Sequence, residues 1–196
     1  MDKHFQQYLN HYKTICPLIS TEELEFIASD LTITNYGAKD IYLNSGNIQH
    51  SMAFVLSGLM RVFYVDDNDN EVNVWFIKEN EYAADFISFM SQSAAIYTIE
   101  CIEPTTVINL SYKHMQAGYD RYKNIERYGR LITQEVYYMQ QERLNSFVFK
   151  TAEQRYLDFV AKNNDLFNRI SLTHLASYLG IERQSLSRIR SQLSKK

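Results

Sequence analysis

Between Leu31 and Leu110 the chain breaks into short runs rich in β-branched and aromatic residues: Leu31–Tyr36, Asp40–Leu43, Met52–Leu56, Leu59–Val65, Glu71–Ile77, Ile96–Ile102 and Thr106–Leu110. Turn-forming residues separate them, so each run reads as a strand. Seven strands in eighty residues fit a compact antiparallel barrel, roll or sandwich. The run Asp66-Asp67-Asn68-Asp69-Asn70 lies between two of these strands and reads as a hairpin tip, because Asn and Asp tolerate left-handed backbone angles. It lacks the ligand spacing and closing Glu of a calcium loop.

Helical signals flank this region. Residues 1–30 read as helical, and Ser20-Thr21-Glu22-Glu23 ahead of Leu24, Phe26 and Ile27 is a capping-box start. From Ser111 onward strand signals stop. Tyr122, Ile125, Gly129, Ile132, Val136, Met139 and Arg143 recur in steps of three and four along one face of a long helix. Such a seam needs a partner, either the chain's own β domain or the same helix of a second copy, and Gly129 would let two backbones approach closely. Thr151-Ala-Glu-Gln154 is a second capping box, opening a helix through Ala161 that breaks at Asn163-Asn164-Asp165.

The most specific stretch is Ile170 to Arg190. Ser171 can cap a helix whose inner face is Leu172, Leu175, Ala176 and Leu179; Gly180 supplies a turn; Leu186 and Ile189 form the inner face of a second helix. Ala176 is small where two helices must cross, and Ile181 fills the angle between them, as a helix-turn-helix requires. Once the apolar positions are removed, Glu182, Arg183, Gln184, Ser187, Arg188 and Arg190 remain facing outward. Arg183 and Gln184 fall in the first turn, where Arg and Gln suit bidentate contacts with guanine and adenine, and Arg188 lies one turn beyond. Arg190, Lys195 and Lys196 suit phosphates, with Ser171 at the capped start of the first helix.

Charge supports that placement. Residues 1–120 carry 6 Lys/Arg against 16 Asp/Glu, whereas residues 121–196 carry 14 against 7. The overall charge of −3 thus hides a basic carboxy-terminal third on an acidic body, an arrangement suited to a polyanion at that end. The longest apolar stretch, Met52 to Tyr64, is broken by Ser57, Gly58 and Arg61 and cannot span a membrane. The amino terminus lacks the apolar core of a secretory signal, so a cytoplasmic protein is expected. Cys16 and Cys101 are isolated and suggest neither a disulfide framework nor a metal or iron–sulfur site.

The order of these features resembles the CRP/FNR family of bacterial transcription regulators over nearly the whole chain. Gly46, the Phe54-Val-Leu-Ser-Gly58 turn and Arg61-Val62 resemble the family's glycine-punctuated roll, and Leu179-Gly-Ile-Glu-Arg-Gln-Ser-Leu-Ser-Arg188 resembles its recognition segment. The resemblance implies an α+β fold: an antiparallel β-roll of cyclic-nucleotide-binding type with an amino-terminal helix (residues 1–120), a long dimerisation helix (121–146) and a helix-turn-helix DNA-binding domain (147–196). It implies Tyr122, Ile125, Gly129, Ile132, Val136 and Met139 as the dimer interface, and double-stranded DNA, a second copy and RNA polymerase as partners. It places Arg183, Gln184 and Arg188 at base-contacting positions.

The roll departs from the family. Ala84-Asp85 stands where cyclic-AMP-binding members have Gly-Glu, the phosphate-binding Arg-Ser pair falls on Ala95 and Ile96, and no Arg or Lys occurs from Glu79 to Pro104. A buried phosphate without such a partner is costly, so the usual cyclic-nucleotide mode is not expected. Asp85, Phe86, Ala95, Ile96 and Tyr128 are the candidate lining of a pocket for some other small effector, and no cofactor is assigned. His50 and His114 are read as surface or packing residues before haem ligands. The chain ends at Lys196, short of the β-hairpin wing that often follows in the family.

No enzyme is expected: His4, His11, His50, His114 and His174 are dispersed, and a metal site in the roll would need several of them together. The rival reading is a ligand-binding or adaptor roll that does not read DNA. It would have lost the exposed Arg and Gln of the last helix.

Overall fold

The computed structural model describes residues 3–193. The chain divides into two compact units, one formed by residues up to Val62 with Phe76–Glu135, the other by Phe63–Trp75 with the residues from Val136 onward.

The first unit opens with α1 (Lys3–Ile15) and α2 (Thr21–Ala28). The capping box that starts α2 is formed as read: Ser20 Oγ accepts from Glu23 N at 3.2 Å, and Glu23 Oε2 accepts from Ser20 N at 2.7 Å. Eight strands follow, β1 (Thr32–Tyr36), β2 (Ile41–Leu43), β3 (Ser51–Ser57), β4 (Met60–Val65), β5 (Glu71–Ile77), β6 (Tyr82–Ala83), β7 (Thr98–Cys101) and β8 (Thr105–Ser111). They form two four-stranded sheets, ordered β1-β8-β3-β6 and β2-β7-β4-β5. β8 is central to the first, pairing antiparallel with β1 (Ile33↔Ile108) and β3 (Phe54↔Ile108). All seven strands read from the sequence are present. β6 was missed because two residues paired with Ala53 and Phe54 show no alternation.

Between β6 and β7 lies α3 (Phe86–Ser91), which closes at Gln92 in a left-handed conformation, φ 49°. The roll's core holds Phe54, Phe89 and Ile108, all at most 1% exposed. Gly58 turns β3 into β4 with φ +107°, and a Cβ there would lie 2.6 Å from Thr105 Cα and 2.7 Å from Pro104 O, so only glycine fits. Arg61 is buried on β4 and grips Glu100 with a fork, Nε to Oε1 at 2.9 Å and Nη2 to Oε2 at 3.1 Å, which compensates the charge.

The long helix expected over 121–146 is present as one continuous helix, preceded by a shorter one. α4 (Tyr112–Arg121) ends at Tyr122, which is extended (φ −129°, ψ 116°), and α5 (Lys123–Phe149) begins beyond it. Tyr122 is therefore outside the helix on which the seam placed it. Its hydroxyl donates to Glu22 Oε1 at 2.9 Å.

In the second unit, α5 is followed by α6 (Ala152–Lys162), a 3-10 turn (Asn164–Leu166), α7 (Leu172–Tyr178) and α8 (Arg183–Leu193). Thr151 caps α6 in a full capping box with Gln154. Tyr156, Phe159, Leu166, Ile170, Leu175, Ala176, Leu179 and Leu186 are buried. Residues 63–75, the outer part of the β4–β5 hairpin, belong to this unit: Asn73 N donates to Ser177 Oγ at 2.9 Å, and Ser177 Oγ donates to Glu71 O at 3.1 Å.

Candidate nucleic-acid interface and ligand site

The turn between α7 and α8 is built as its sequence requires. Ser171 Oγ accepts from His174 N at 3.1 Å and caps α7. At the other end Gly180 takes φ +66°, Ile181 N donates to Ala176 O at 3.1 Å and Gly180 N to Ser177 O at 3.0 Å, the bond pair of a Schellman motif. Leu186, fully buried, anchors α8 beside the buried Leu175, Ala176 and Leu179.

This leaves Arg183, Gln184, Ser187 and Arg188 exposed together. Spaced i, i+1, i+4 and i+5, they share one face of α8. Ser187 Oγ donates to Arg183 O at 3.1 Å and keeps its acceptor lone pairs outward. Arg190, two turns beyond Arg183 and one beyond Ser187, continues that side of the helix toward its end. It is half-buried, its guanidinium 4.9 Å from the Phe167 ring, and with Tyr156, Ser187, Ser191 and Leu193 it lines an open depression of about 650 Å³. Lys195 and Lys196 lie outside the described residues.

The candidate pocket residues of the roll are engaged internally. Asp85, 3% exposed, caps α3 by accepting from Ser88 N at 3.1 Å with Oδ1, while Oδ2 accepts from Ile96 N at 3.0 Å and Tyr97 N at 3.3 Å. Its own N–H donates to Gln49 Oε1 at 2.8 Å. Ala95 is held by its backbone, accepting from Gly46 N at 2.7 Å and donating to Asn47 O at 2.8 Å. Asp85, Ala95 and Ile96 are thus brought together, with the Asp85 carboxylate accepting from three backbone N–H groups. Phe86 on α3 is half-buried, and the Ile96 side chain is largely exposed.

Tyr128 belongs to a different cluster. It stacks on Tyr12 with centroids 3.5 Å apart, and its hydroxyl lies 2.6 Å from that of Tyr82. Burial pushes the Tyr8, Tyr12, Tyr82 and Tyr128 phenols well above their ordinary range, so these hydroxyls stay protonated in the core. His11 contacts Phe54 in the same cluster, and desolvation lowers its basicity against the opposing charge of Glu135.

Along α5, Ile125 is 2% exposed and packs into the core of its own chain, with Ile132 partly buried against it. Gly129 answers to an intrachain neighbour: a Cβ there would collide with the ring and hydroxyl of Tyr119. Tyr119 of the same chain thus lies against this glycine. Val136 and Met139 are half-buried, and from Tyr137 onward the apolar residues turn outward, with Tyr137, Tyr138, Leu144, Phe147, Val148 and Phe149 exposed. Reading the seam did not find Phe147 or Arg155, which lie beside the turn described above; their side chains meet only through the fold.

The roll defines the class of the first unit: residues 33–122 match the family described as cyclic nucleotide-binding domain. The wider fold is shared with solved bacterial regulators. FixK2 from Bradyrhizobium japonicum is similar at a TM-score of 0.75 and 16% identity, covering 84% of this chain and 85% of its own. CLP of Xanthomonas campestris, a c-di-GMP responsive global regulator, is similar at a TM-score of 0.71 and 14% identity over 90% of this chain and 92% of its own. The catabolite activator protein of Thermus thermophilus is similar at 0.57 and 17% identity over 92% and 86%. The CRP/FNR resemblance read from the sequence therefore stands at the level of fold. No curated protein matches the sequence. Among the described residues no helix is long and apolar enough to cross a membrane, and no group of three or more His, Cys, Asp or Glu is placed to hold a metal.

Proposed function

We propose that the protein is a sequence-specific DNA-binding transcription regulator that acts as a homodimer in the cytoplasm, with α7 and α8 as its helix-turn-helix. The observation that carries this reading is the exposed face of α8, where Arg183, Gln184, Ser187 and Arg188 stand together on a helix fixed by Leu186 and the Gly180 turn. Such a face enters a major groove, where a good bidentate contact is worth about 1–3 kcal/mol of base discrimination. Phosphate contacts come from the capped start of α7 at Ser171 and from basic residues around α8, and they make binding salt-dependent.

Tyr137, Tyr138, Leu144 and Val148, the exposed apolar residues of α5 not engaged within the chain, form with Val136 and Met139 the seam for a second copy. Two recognition helices related by that axis would read half-sites about 34 Å apart in a near-palindromic operator. In such a regulator, RNA polymerase is the partner through which bound protein changes transcription. The roll acts as the sensor, and a ligand there works only by favouring one arrangement of the two readers. Asp85 argues against the cyclic-phosphate mode, because an anionic ligand would have to displace a carboxylate already bonded to three backbone donors.

The test is selection of bound duplexes from a randomised pool, without added ligand, alongside Arg183→Ala and Arg188→Ala. Enrichment of an inverted repeat by the native protein, weakened in both variants at the bases they contact, is the expected result. Equal enrichment by native protein and variants would overturn the residue assignments. A native protein that enriches nothing, with or without a panel of nucleotides and small acids, would favour a ligand-binding or adaptor roll that does not read DNA.

A further inference from the structure

The C-terminal end of α7 carries four carbonyls with no partner inside the helix, the oxygens of Ala176, Ser177, Tyr178 and Leu179. The first two are taken by Ile181 N and Gly180 N in the turn. The other two are taken by arginines from other helices. Arg143 of α5 donates from Nη2 to Tyr178 O at 3.1 Å, and Arg155 of α6 donates from Nε and Nη2 to Leu179 O at 3.0 and 2.9 Å. Arg155 Nη1 also donates to Lys150 O, just past the end of α5, at 2.8 Å. One guanidinium thus joins the last carbonyl of α7 to the end of α5.

Phe147 of α5 meets both guanidiniums. The Arg143 and Arg155 guanidiniums stand 4.9 and 4.8 Å from its ring centroid, and Arg143 also lies 4.0 Å from the Tyr178 ring. The ring reaches this place because residue 180 is glycine: a Cβ on Gly180 would lie 2.7 Å from Phe147 Cε1. Cations are favoured at a helix C-terminus and over aromatic faces, and the rigid arginine fork fixes direction as well as distance.

We infer that Arg143, Phe147 and Arg155 form a clamp that sets the orientation of the α7–α8 pair relative to α5, and so the separation at which two readers meet their half-sites. The inference rests on the DNA-reading proposal for its consequence but not for its geometry. The three are positioning residues; none lies on the exposed face of α8. Rotation of α7–α8 against α5 breaks the bonds to Tyr178 O and Leu179 O together and moves Phe147 off Gly180, so no single loss is absorbed by the others.

The test has two readouts on Phe147→Leu, Arg155→Lys and Phe147→Tyr. Leucine keeps apolar volume without a π face, lysine keeps charge without the fork, and tyrosine keeps the ring. Spin labels on a keto amino acid introduced at Gln140 and Gln192 report the α5–α8 distance in labelled protein diluted into unlabelled protein. The native protein and Phe147→Tyr are expected to give one narrow distribution, and the leucine and lysine variants a broad one, with melting temperatures of all four compared alongside. On DNA, the native preference for one half-site separation over its one-base-pair neighbours, expected at about tenfold or more, should fall below about threefold in the two broadened variants. Base preference within each half-site should not change. A narrow distribution in Phe147→Leu or in Arg155→Lys, or a broad one in Phe147→Tyr, would overturn the clamp. If the native protein selects no DNA, the DNA-reading proposal fails and the distance distributions decide the clamp alone.

Discussion

Replacing Asp85 with alanine removes one carboxylate and leaves three donors, the N–H groups of Ser88, Ile96 and Tyr97. Hydrogen bonds to a charged acceptor contribute about 1.5–3 kcal/mol each, and loss of an N-cap costs about 0.5–2 kcal/mol. Those ranges overlap at Ser88, and the exposed Ile96 side chain lets water reach one of the other donors, so a simple sum overstates the loss. The expected destabilisation is about 3 kcal/mol, which for a chain of this size is a melting-temperature drop of roughly 6–12 °C. Asp85→Asn should fall between native and alanine, because its oxygen can still cap Ser88 while its NH₂ faces two donors it cannot satisfy. Urea unfolding and calorimetry at one fixed protein concentration read both variants. A loss below about 1 kcal/mol for Asp85→Ala would refute the claim that the carboxylate holds α3 and the Ile96–Tyr97 turn in place.

Gly58→Ala should cost about 3 kcal/mol or more and lower the yield of folded protein, because its Cβ meets the backbone of Pro104 and Thr105 at a left-handed φ; chemical unfolding checks it, and a loss under about 1 kcal/mol contradicts the geometry. Although removal from water opposes ionisation of Glu23, hydrogen bonds from Ser20 and Asn124 outweigh it and hold the carboxyl below its usual range. A depressed folded-state value contributes stability above the unfolded value of about 4.3 and loses it as pH falls through the folded value. Glu23→Gln should therefore be less stable than native at pH 7, with the gap closing in acid; a gap independent of pH would show that the carboxylate's charge contributes nothing.

Much of this fold is visible in the residues because local signals agree with one another. Ser20, Thr151 and Ser171 each announce a helix start, and each caps one. The long strands show β-branched and aromatic runs, and Gly180 marks a turn that only a left-handed residue closes so tightly. Short elements escape such reading: β6 has two residues, and α3 depends on Asp85, whose partners Ile96 and Tyr97 are eleven and twelve positions away. The exposed face of α8 was legible because helical spacing alone separates Leu186 from Arg183, Gln184 and Arg188. The seam on α5 was legible only as apolar. Which neighbour each position meets is decided by the fold, so Ile125 packs into the chain's own core and Gly129 lies against Tyr119. The partners of Arg143 and Arg155 were invisible for the same reason, since a backbone carbonyl leaves no mark in a sequence.

The Ser177 hydroxyl, which both accepts from Asn73 and donates to Glu71, has a consequence for how the polypeptide can be divided. The unit holding α7 and α8 borrows the outer hairpin from a stretch that precedes most of α5 by sixty residues or more. The chain leaves the first unit after Val62, returns to it at Phe76 and leaves again after Glu135. No single cut separates the two units: a fragment starting at Val136 would lack the strand that Ser177 holds, and a fragment ending at Glu135 would carry that strand without its companion helix. The two units are interleaved along the sequence, and a replacement for α7 and α8 grafted onto this roll must supply its own answer to the hairpin.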